Sequence, residues 1–405
     1  MSSNYRPIGE FIERLKIKNS ENSHSRLLGI NINKYFMPSV ANVVGTDLSK
    51  YLIVEPGQFA CNRMHVGRDY RLPIALSNEN EPFIVSPAYD VFKIKDESQL
   101  LPEYLMMWFS RAEFDRNSWF YTDTDVRGKL GWDSFFEMEL PVPSIEKQQE
   151  IVTEYNVVKN RIKLNEQLNQ KLEETAQAIY KRWFVDFEFP NENGKPYKSS
   201  GGAMVYNEEL DKEIPEGWEV VPLGNVAHYT KERIEVENLD LSNFVSTDNM
   251  LANRKGITTA SKLPTSKTLP KFIKGDILIS NIRPYFKKIW KADFNGGCSN
   301  DILCFKSKNS NYTSYLYSIL EQDLFFEYVM SGSKGTKMPR GDKEWIMNYL
   351  VAIPPDELLN NFISYVEIIS QKMNIKISEN KLLDEIKSII LSKMSRIKEE
   401  KLVTN

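Results

Sequence analysis

The sequence predicts an α+β chain of two similar globular segments joined by two long antiparallel coiled-coil helices, forming an internal pseudo-twofold repeat. Three observations carry that prediction. Residues 144–189 and 356–405 contain neither Gly nor Pro. Each is entered through prolines, Pro141 and Pro143 before the first and Pro354-Pro355 before the second. Short motifs recur in the same order along the chain, offset by roughly 210 to 218 residues, a period of duplicated domains rather than of a solenoid. The expected divisions are a first globule at 1–143, a long helix at 144–190, a linker at 191–213, a second globule at 214–355 and a C-terminal long helix at 356–405.

The first helix has Ser144 as its expected N-cap, with Glu146 and Glu150 at the positive end of the helix dipole. Pro190 is the expected stop. Alternating steps of four and three from Ile151 meet Tyr155, Val158, Ile162, Asn165, Asn169, Leu172, Ala176, Ile179 and Trp183. This is a heptad seam, and its two asparagines favour one register at some cost in stability. Leu164 and Leu168 are expected to widen the apolar face. A helix of about 40 residues rises roughly 60 Å, more than one compact domain requires. In the second helix Phe362, Val366, Ile369, Met373, Leu383, Ile390, Met394 and Ile397 fall on one face, flanked by Ile375, Leu382, Ile386 and Ile389. The two helices read as partners. The alternative is that each packs on its own globule.

The 405 residues leave room for two or three domains, and 41% hydrophobic and 26% charged residues are ordinary for a water-soluble protein. No segment reads as a signal peptide or membrane span, and three cysteines without zinc-like spacing fit a reducing compartment. A cytoplasmic location is expected. Three scattered histidines offer no metal cluster. The net charge of −3 argues weakly against a nucleic-acid partner, but its distribution does not. Between Arg254 and Lys291 there are ten basic residues, and within that stretch Asp276 stands against them. A charge run can equally be a solubilising face.

The globules read as short strands with few helices. Apolar runs at 27–32, 51–54, 83–85 and 90–94 precede a buried helix from Pro102 to Phe109. In the second globule Val221-Pro222-Leu223-Gly224 answers Arg6-Pro7-Ile8-Gly9, and Lys274-Gly275 answers Pro56-Gly57. Asp301 to Lys306 answers Asp90 to Lys93, Tyr315-Leu316 answers Tyr104-Leu105, and Ala352-Ile353-Pro354 answers Pro141-Val142-Pro143. Two similar globules on paired struts suit duplex DNA, whose half-sites recur about every 34 Å and whose symmetry the protein mirrors.

At this point particular residues carry a resemblance. IPEGWEVVPLG (Ile214 to Gly224), KLEETAQAIYKRWFVDFEFP (Lys171 to Pro190) with the following GKPYKSSGG, and LPVPSIEKQQEI (Leu140 to Ile151) resemble the specificity subunit of type I restriction-modification systems. The counterpart IPPDELLNNF (Ile353 to Phe362) departs by lacking the Glu-Gln pair. The resemblance implies two target-recognition domains, each reading one half of a bipartite double-stranded DNA target. It also implies helices that set the spacing and dock two methyltransferase subunits, with two translocase-nuclease subunits completing the complex. No cofactor is expected on this chain; S-adenosylmethionine, ATP and Mg2+ would sit on the partners.

Candidate DNA contacts in the second globule are Asn281, Arg283 and Tyr285, with Lys287 and Lys288 better suited to phosphate. Lys334, Lys337 and Arg340 lie in a glycine-rich loop without nucleotide-binding P-loop spacing. In the first globule the candidates are Asn62, Arg63, His65, Arg68, Arg71, Arg127 and Lys129, while Asp123 and Asp125 could accept from cytosine or cap a turn. For any one of these a surface ion pair is the plain alternative. Ile179, Tyr180, Trp183 and Phe184 are the candidate subunit interface, with core packing as the alternative for the aromatics. A self-contained methyltransferase would need an Asp/Asn-Pro-Pro-Tyr/Phe loop, which Ile353-Pro354-Pro355-Asp356 does not supply. A coiled-coil scaffold binding protein through its globules is the remaining rival.

Overall fold

The computed structural model describes residues 5–39, 45–64, 66–122 and 128–396. His65, Asp123, Asp125, Arg127 and Ile397 therefore lie outside the described residues. The chain divides into two compact units: unit 1 is Met1–Glu166 with Ile377–Asn405, and unit 2 is Gln167–Lys376.

In unit 1 the strands Ile12–Leu15, Asp90–Ile94, Phe59–Cys61 and Ile74–Leu76 form, in that order, an antiparallel sheet. Phe59 stacks on Phe92 with ring centroids 4.9 Å apart, and Phe109 of the helix Pro102–Phe109 meets Phe59 edge-on at 5.9 Å. Aromatic and β-branched residues fill this layer because both faces of the sheet's centre are covered. Helices Ala112–Phe120 and Trp132–Glu137 follow. The short strands Tyr5–Pro7 and Glu139–Pro141 pair to close the globule.

Unit 2 repeats this plan. Ala227–Tyr229, Ile302–Ser307, Ile277–Ser280 and Ile289–Lys291 form the equivalent sheet in the equivalent order. Helices Thr313–Leu320, Asp323–Ser331 and Lys343–Met347 follow, and Glu219–Pro222 pairs with Leu350–Ile353. The sequence correspondences hold at bond level. Gly57 and Gly275 both adopt left-handed backbone (φ 79° and 97°) before the third strand of the sheet order. Their amides donate to Ser77 O at 2.9 Å and Ala292 O at 2.8 Å. Tyr104 Oη donates to Pro141 O at 3.1 Å, and Tyr315 Oη donates to Ala352 O at 2.6 Å. Unit 2 adds a second sheet of Arg233–Glu235, Thr268–Phe272, Gly296–Cys298 and Phe244–Val245, with its last pair parallel.

The long helices run Ile145–Tyr180 and Asp356–Lys393. The amide of Lys147 donates to Ser144 Oγ at 3.4 Å, a weak cap at the expected position. Within each unit their segments pair antiparallel along the seam. In unit 1, Arg161 meets Glu379 at 2.7 Å and Asn165 meets Asn380. In unit 2, Asn169 Nδ2 donates to Met373 O at 3.5 Å, and the Trp183 and Phe362 rings lie 6.1 Å apart.

Three expectations need correction. The first helix ends well before Pro190, in a π-turn over Lys181–Val185. The chain then reverses at Phe187, whose φ is 57°, and the amides of Asp186 and Glu188 satisfy the carbonyls of Lys181 and Arg182. Part of the stretch expected as linker is instead a hairpin, Met204–Asn207 with Lys212–Pro215. Leu164, Leu168, Ile375, Leu382, Ile386 and Ile389 do not widen the seam; all are exposed, Ile375 and Leu382 more than 60%. A pair of helices buries one stripe of each, so residues a turn off the seam are left outside.

Candidate nucleic-acid interface

In each unit, two loops converge at the same topological place: the one leaving the third strand of the sheet order, and the one before the last short helix. In unit 2 the amide of Arg283 donates to Pro339 O at 2.8 Å, Ile282 bridges Arg340, and Asn281 Nδ2 donates to Gly341 O at 3.1 Å. In unit 1 the amide of Leu130 donates to Arg63 O at 3.0 Å, and that of Gly67 donates to Gly128 O at 2.9 Å. A Cβ built on Gly67 would stand 2.6 Å from the Gly128 Cα, so only glycines allow this approach.

Asn281 and Arg283 are the notable pair in unit 2. Arg283 takes left-handed backbone (φ 50°), which tightens the turn into Pro284. Its Nε is buried with no hydrogen-bond partner, as is Asn281 Oδ1. A buried donor and a buried acceptor without partners cost about 1–3 kcal/mol each. Arg283 also lines a cleft of about 590 Å³ together with Ser246, Thr247, Lys262, Lys288 and Asp301. Lys288 Nζ donates to Thr247 O at 2.7 Å on that wall. Tyr285 is 47% exposed beside Phe286, ring centroids 4.7 Å apart.

Other cations of the predicted set are partly committed. Lys287 meets Asp323 at 2.8 Å, and Arg254 reaches the same carboxylate. Glu232 holds Lys271 and Lys306. Three cations of the basic stretch, Arg254, Lys271 and Lys287, are thus paired with acids outside it, which its local sequence could not reveal. Lys255, Lys262, Lys267 and Lys274 remain on the surface. In the glycine-rich loop Lys334 pairs with Asp342 at 2.5 Å and Arg340 with Asp301 at 3.1 Å, while Lys337 is exposed. The Lys334 ammonium holds the Asp342 carboxyl below its ordinary range, leaving it ionised as the N-cap of Lys343–Met347.

Unit 1 requires one clear correction. Arg63 is 5% exposed: its Nε and Nη2 both reach Asp90 Oδ2 at 2.8 Å, its Nη1 donates to Leu130 O, and it lies 4.3 Å over the Trp132 ring. It ties the two loops together from inside and is not on the surface. Asn62 turns its Oδ1 to the Met64 amide at 3.0 Å. Arg68 is exposed and paired with Asp69 at 2.7 Å, Arg71 donates to Asn33 Oδ1 at 3.2 Å, and Lys129 is exposed. Sequence reasoning missed the aromatics around them: Tyr70, Trp119, Phe120 and Tyr121 are all exposed. The run Trp119-Phe120-Tyr121 at a helix end was the available signal.

Tyr180, Trp183 and Phe184 are at most 8% exposed and form the core of unit 2 with Tyr315, Trp218 and Phe362. The packing alternative holds for these three, and an exposed interface does not. Ile179 is half-buried and, with the edge of Trp183, lines a groove of about 520 Å³. Among the described residues no His, Cys, Asp and Glu cluster could hold a metal ion. No described helix is long and apolar enough to cross a membrane.

Comparison with known proteins now adds to this geometry. Residues 215–388 match the family model of the type I restriction modification DNA specificity domain. Over 281 residues the chain is 30% identical to the type I restriction enzyme MjaIX specificity subunit of Methanocaldococcus jannaschii, covering 64% of this chain and 60% of that one. Over 190 residues it is 25% identical to the HindI specificity subunit of Haemophilus influenzae, covering 45% and 40%. The chain thus spans roughly half the length of these curated relatives. The crystal structure of a type I restriction-modification S subunit from M. genitalium superposes with a TM-score of 0.55 at 16% identity over 96% of this chain and 95% of that one, and shares its fold.

Proposed function

We propose that this chain, whose residues 215–388 match the type I restriction modification DNA specificity domain, is the DNA-reading subunit of such a system. Each unit's converging loops read one half of a bipartite target, and the paired helices set the spacing between halves. The observation that carries this is Arg283, whose Nε has no hydrogen-bond partner in the loop and whose side chain lines a cleft with Lys262 and Lys288. Arginine grips guanine O6 and N7, so Arg283 suits a base edge in the major groove, while Asn281, whose Nδ2 donates to Gly341 O, holds the two loops together. Exposed lysines nearby suit phosphate.

The chain is read as non-catalytic and intracellular, with S-adenosylmethionine, ATP and Mg2+ handled by partners. Those partners are two methyltransferase subunits and two translocase-nuclease subunits. Their docking is supported by exposed apolar residues on the outer faces of the long helices, since isolated patches of this kind mark protein contacts. In unit 1 these are Leu382, Ile386 and Ile389; in unit 2 they are Tyr365, Ile368 and Ile375.

The test is to map methylated adenines in DNA from cells carrying the chain and its methyltransferase partner. A two-part motif is expected. Inserting seven residues before Leu172, with seven matching residues in the C-terminal helix, should change the gap between halves and leave their bases unchanged. A motif of one continuous block, or a gap indifferent to the insertion, overturns the reading.

A further inference from the structure

The helix leading into the loop before the last short helix ends in three aromatics in unit 1, Trp119-Phe120-Tyr121, and in Met330-Ser331-Gly332 in unit 2. Helix Asp323–Ser331 runs into Gly332, and the bridge between Lys334 and Arg340 closes the loop before Lys343–Met347. Helix Ala112–Phe120 runs into Tyr121, and the bridge between Thr122 and Leu130 closes the loop before Trp132–Glu137. Unit 1 presents bulk at this place. Phe120 is 76% exposed and Tyr121 49%, with their rings edge-on at 5.4 Å. Trp119, 46% exposed, leans on Tyr70 at 5.4 Å.

These rings have no core to join: Phe114 and Ser118 already take the buried side of the helix. The tip is held firmly. The Tyr121 amide donates to Asn117 O at 3.1 Å, and Thr122 Oγ1 donates to Trp119 O at 2.7 Å. Its surroundings are of mixed charge, with Arg68 paired to Asp69 and Arg116 to Glu113. Two cations are available there: Arg71 donates to neutral Asn33 Oδ1 at 3.2 Å, and Lys129 stands exposed next to Gly128, whose carbonyl accepts from the Gly67 amide. Exposed aromatics in a unit that also exposes Arg71 and Lys129 match a polyanion whose bases offer flat faces. An apolar side chain can enter a base step and kink the duplex, while cations beside it hold the phosphates.

We infer that Phe120 and Tyr121 form an aromatic wedge that stacks on bases of the half-site read by unit 1, with Arg71 and Lys129 on the flanking phosphates. This rests on the DNA-reading function proposed above. The wedge distorts one half-site, whereas unit 2 reads its half through the Arg283 loop.

The test uses the chain co-purified with its methyltransferase subunits and a duplex bearing the mapped target, with 2-aminopurine at successive positions. Wild type should raise fluorescence at a step in one half-site. Phe120→Ala with Tyr121→Ala should abolish that rise and weaken binding about 5- to 100-fold, while Phe120→Trp retains both. Unchanged fluorescence and affinity in the double variant, with wild type binding in a salt-dependent way, overturns the wedge alone. A double variant that fails to co-purify with the methyltransferase overturns it in favour of a protein contact. Wild type that binds no duplex overturns both wedge and parent function.

Discussion

Asn165 Nδ2 donates a hydrogen bond to Asn380 Oδ1 at 2.8 Å, inside the helix pair of unit 1. Asn380 Nδ2 in turn points to Ile162 O at 3.4 Å. With Asn165 only 2% exposed, its amide finds its partner where water is excluded, and Asn380 passes the bond on to the facing backbone. A shift of either helix would separate them, so the pair selects one register. Asn165→Ala should therefore lower stability by about 1–3 kcal/mol, read as the urea midpoint. Replacing both asparagines with leucine should recover the loss or exceed it. A double variant less stable than the single one would contradict this account.

Arg63 and Arg71 separate structure from surface in the same loop. Arg63→Ala strips Asp90 of a buried partner and should cost about 3–5 kcal/mol of folding stability. Arg71→Ala should move the melting midpoint little and weaken duplex affinity. Equal melting curves for the two variants would put Arg63 on the surface after all.

Arg283→Ala should relax base preference in one half-site, by about 1–3 kcal/mol at the position it reads, and leave the other half unchanged. Methylation mapping with the variant reads both halves at once. Loss spread evenly over both would mean that the units do not read independently.

Glu321, 5% exposed, lies in unit 2 near Glu173, Arg254 and Lys291. Burial first, then the like charge of Glu173, push its carboxyl up to about 8, against the pull of Arg254 and Lys291. The folded chain then keeps a proton that the unfolded chain releases, so stability falls as pH rises from about 4.5 to about 8 and levels above that, by roughly a few kcal/mol. Urea unfolding at pH 5, 6.5 and 8 should show the decline, and Glu321→Gln should flatten it. The same slope in both proteins would remove Glu321 as its source.

Exposed and buried apolar residues of the long helices should also part company. Ile386→Ser with Ile389→Ser should reduce co-purification of the methyltransferase subunit and leave the thermal midpoint nearly unchanged. Trp183→Ala should instead cost about 3–5 kcal/mol of stability. Full co-purification by the serine variant would remove this face as the docking surface.

Periodicity, glycine and proline placement are local and repeat along the chain, so the sequence by itself determined the two-globule repeat and the seam with Asn165 and Asn169 in it; that Asn165 meets Asn380 came from the structure. Gly57 and Gly275 could be aligned by eye because each serves the same backbone turn. Side-chain partnership is not local. Whether Arg63 faces Asp90 or solvent, whether Asp323 neutralises Arg254 and Lys287, and whether Trp183 is core or surface depend on residues tens of positions away or more. Burial and charge pairing arise only when distant segments meet, and that the tertiary structure alone decided. It also decided which apolar stripe of each long helix is covered, because two helices in contact hide one face apiece.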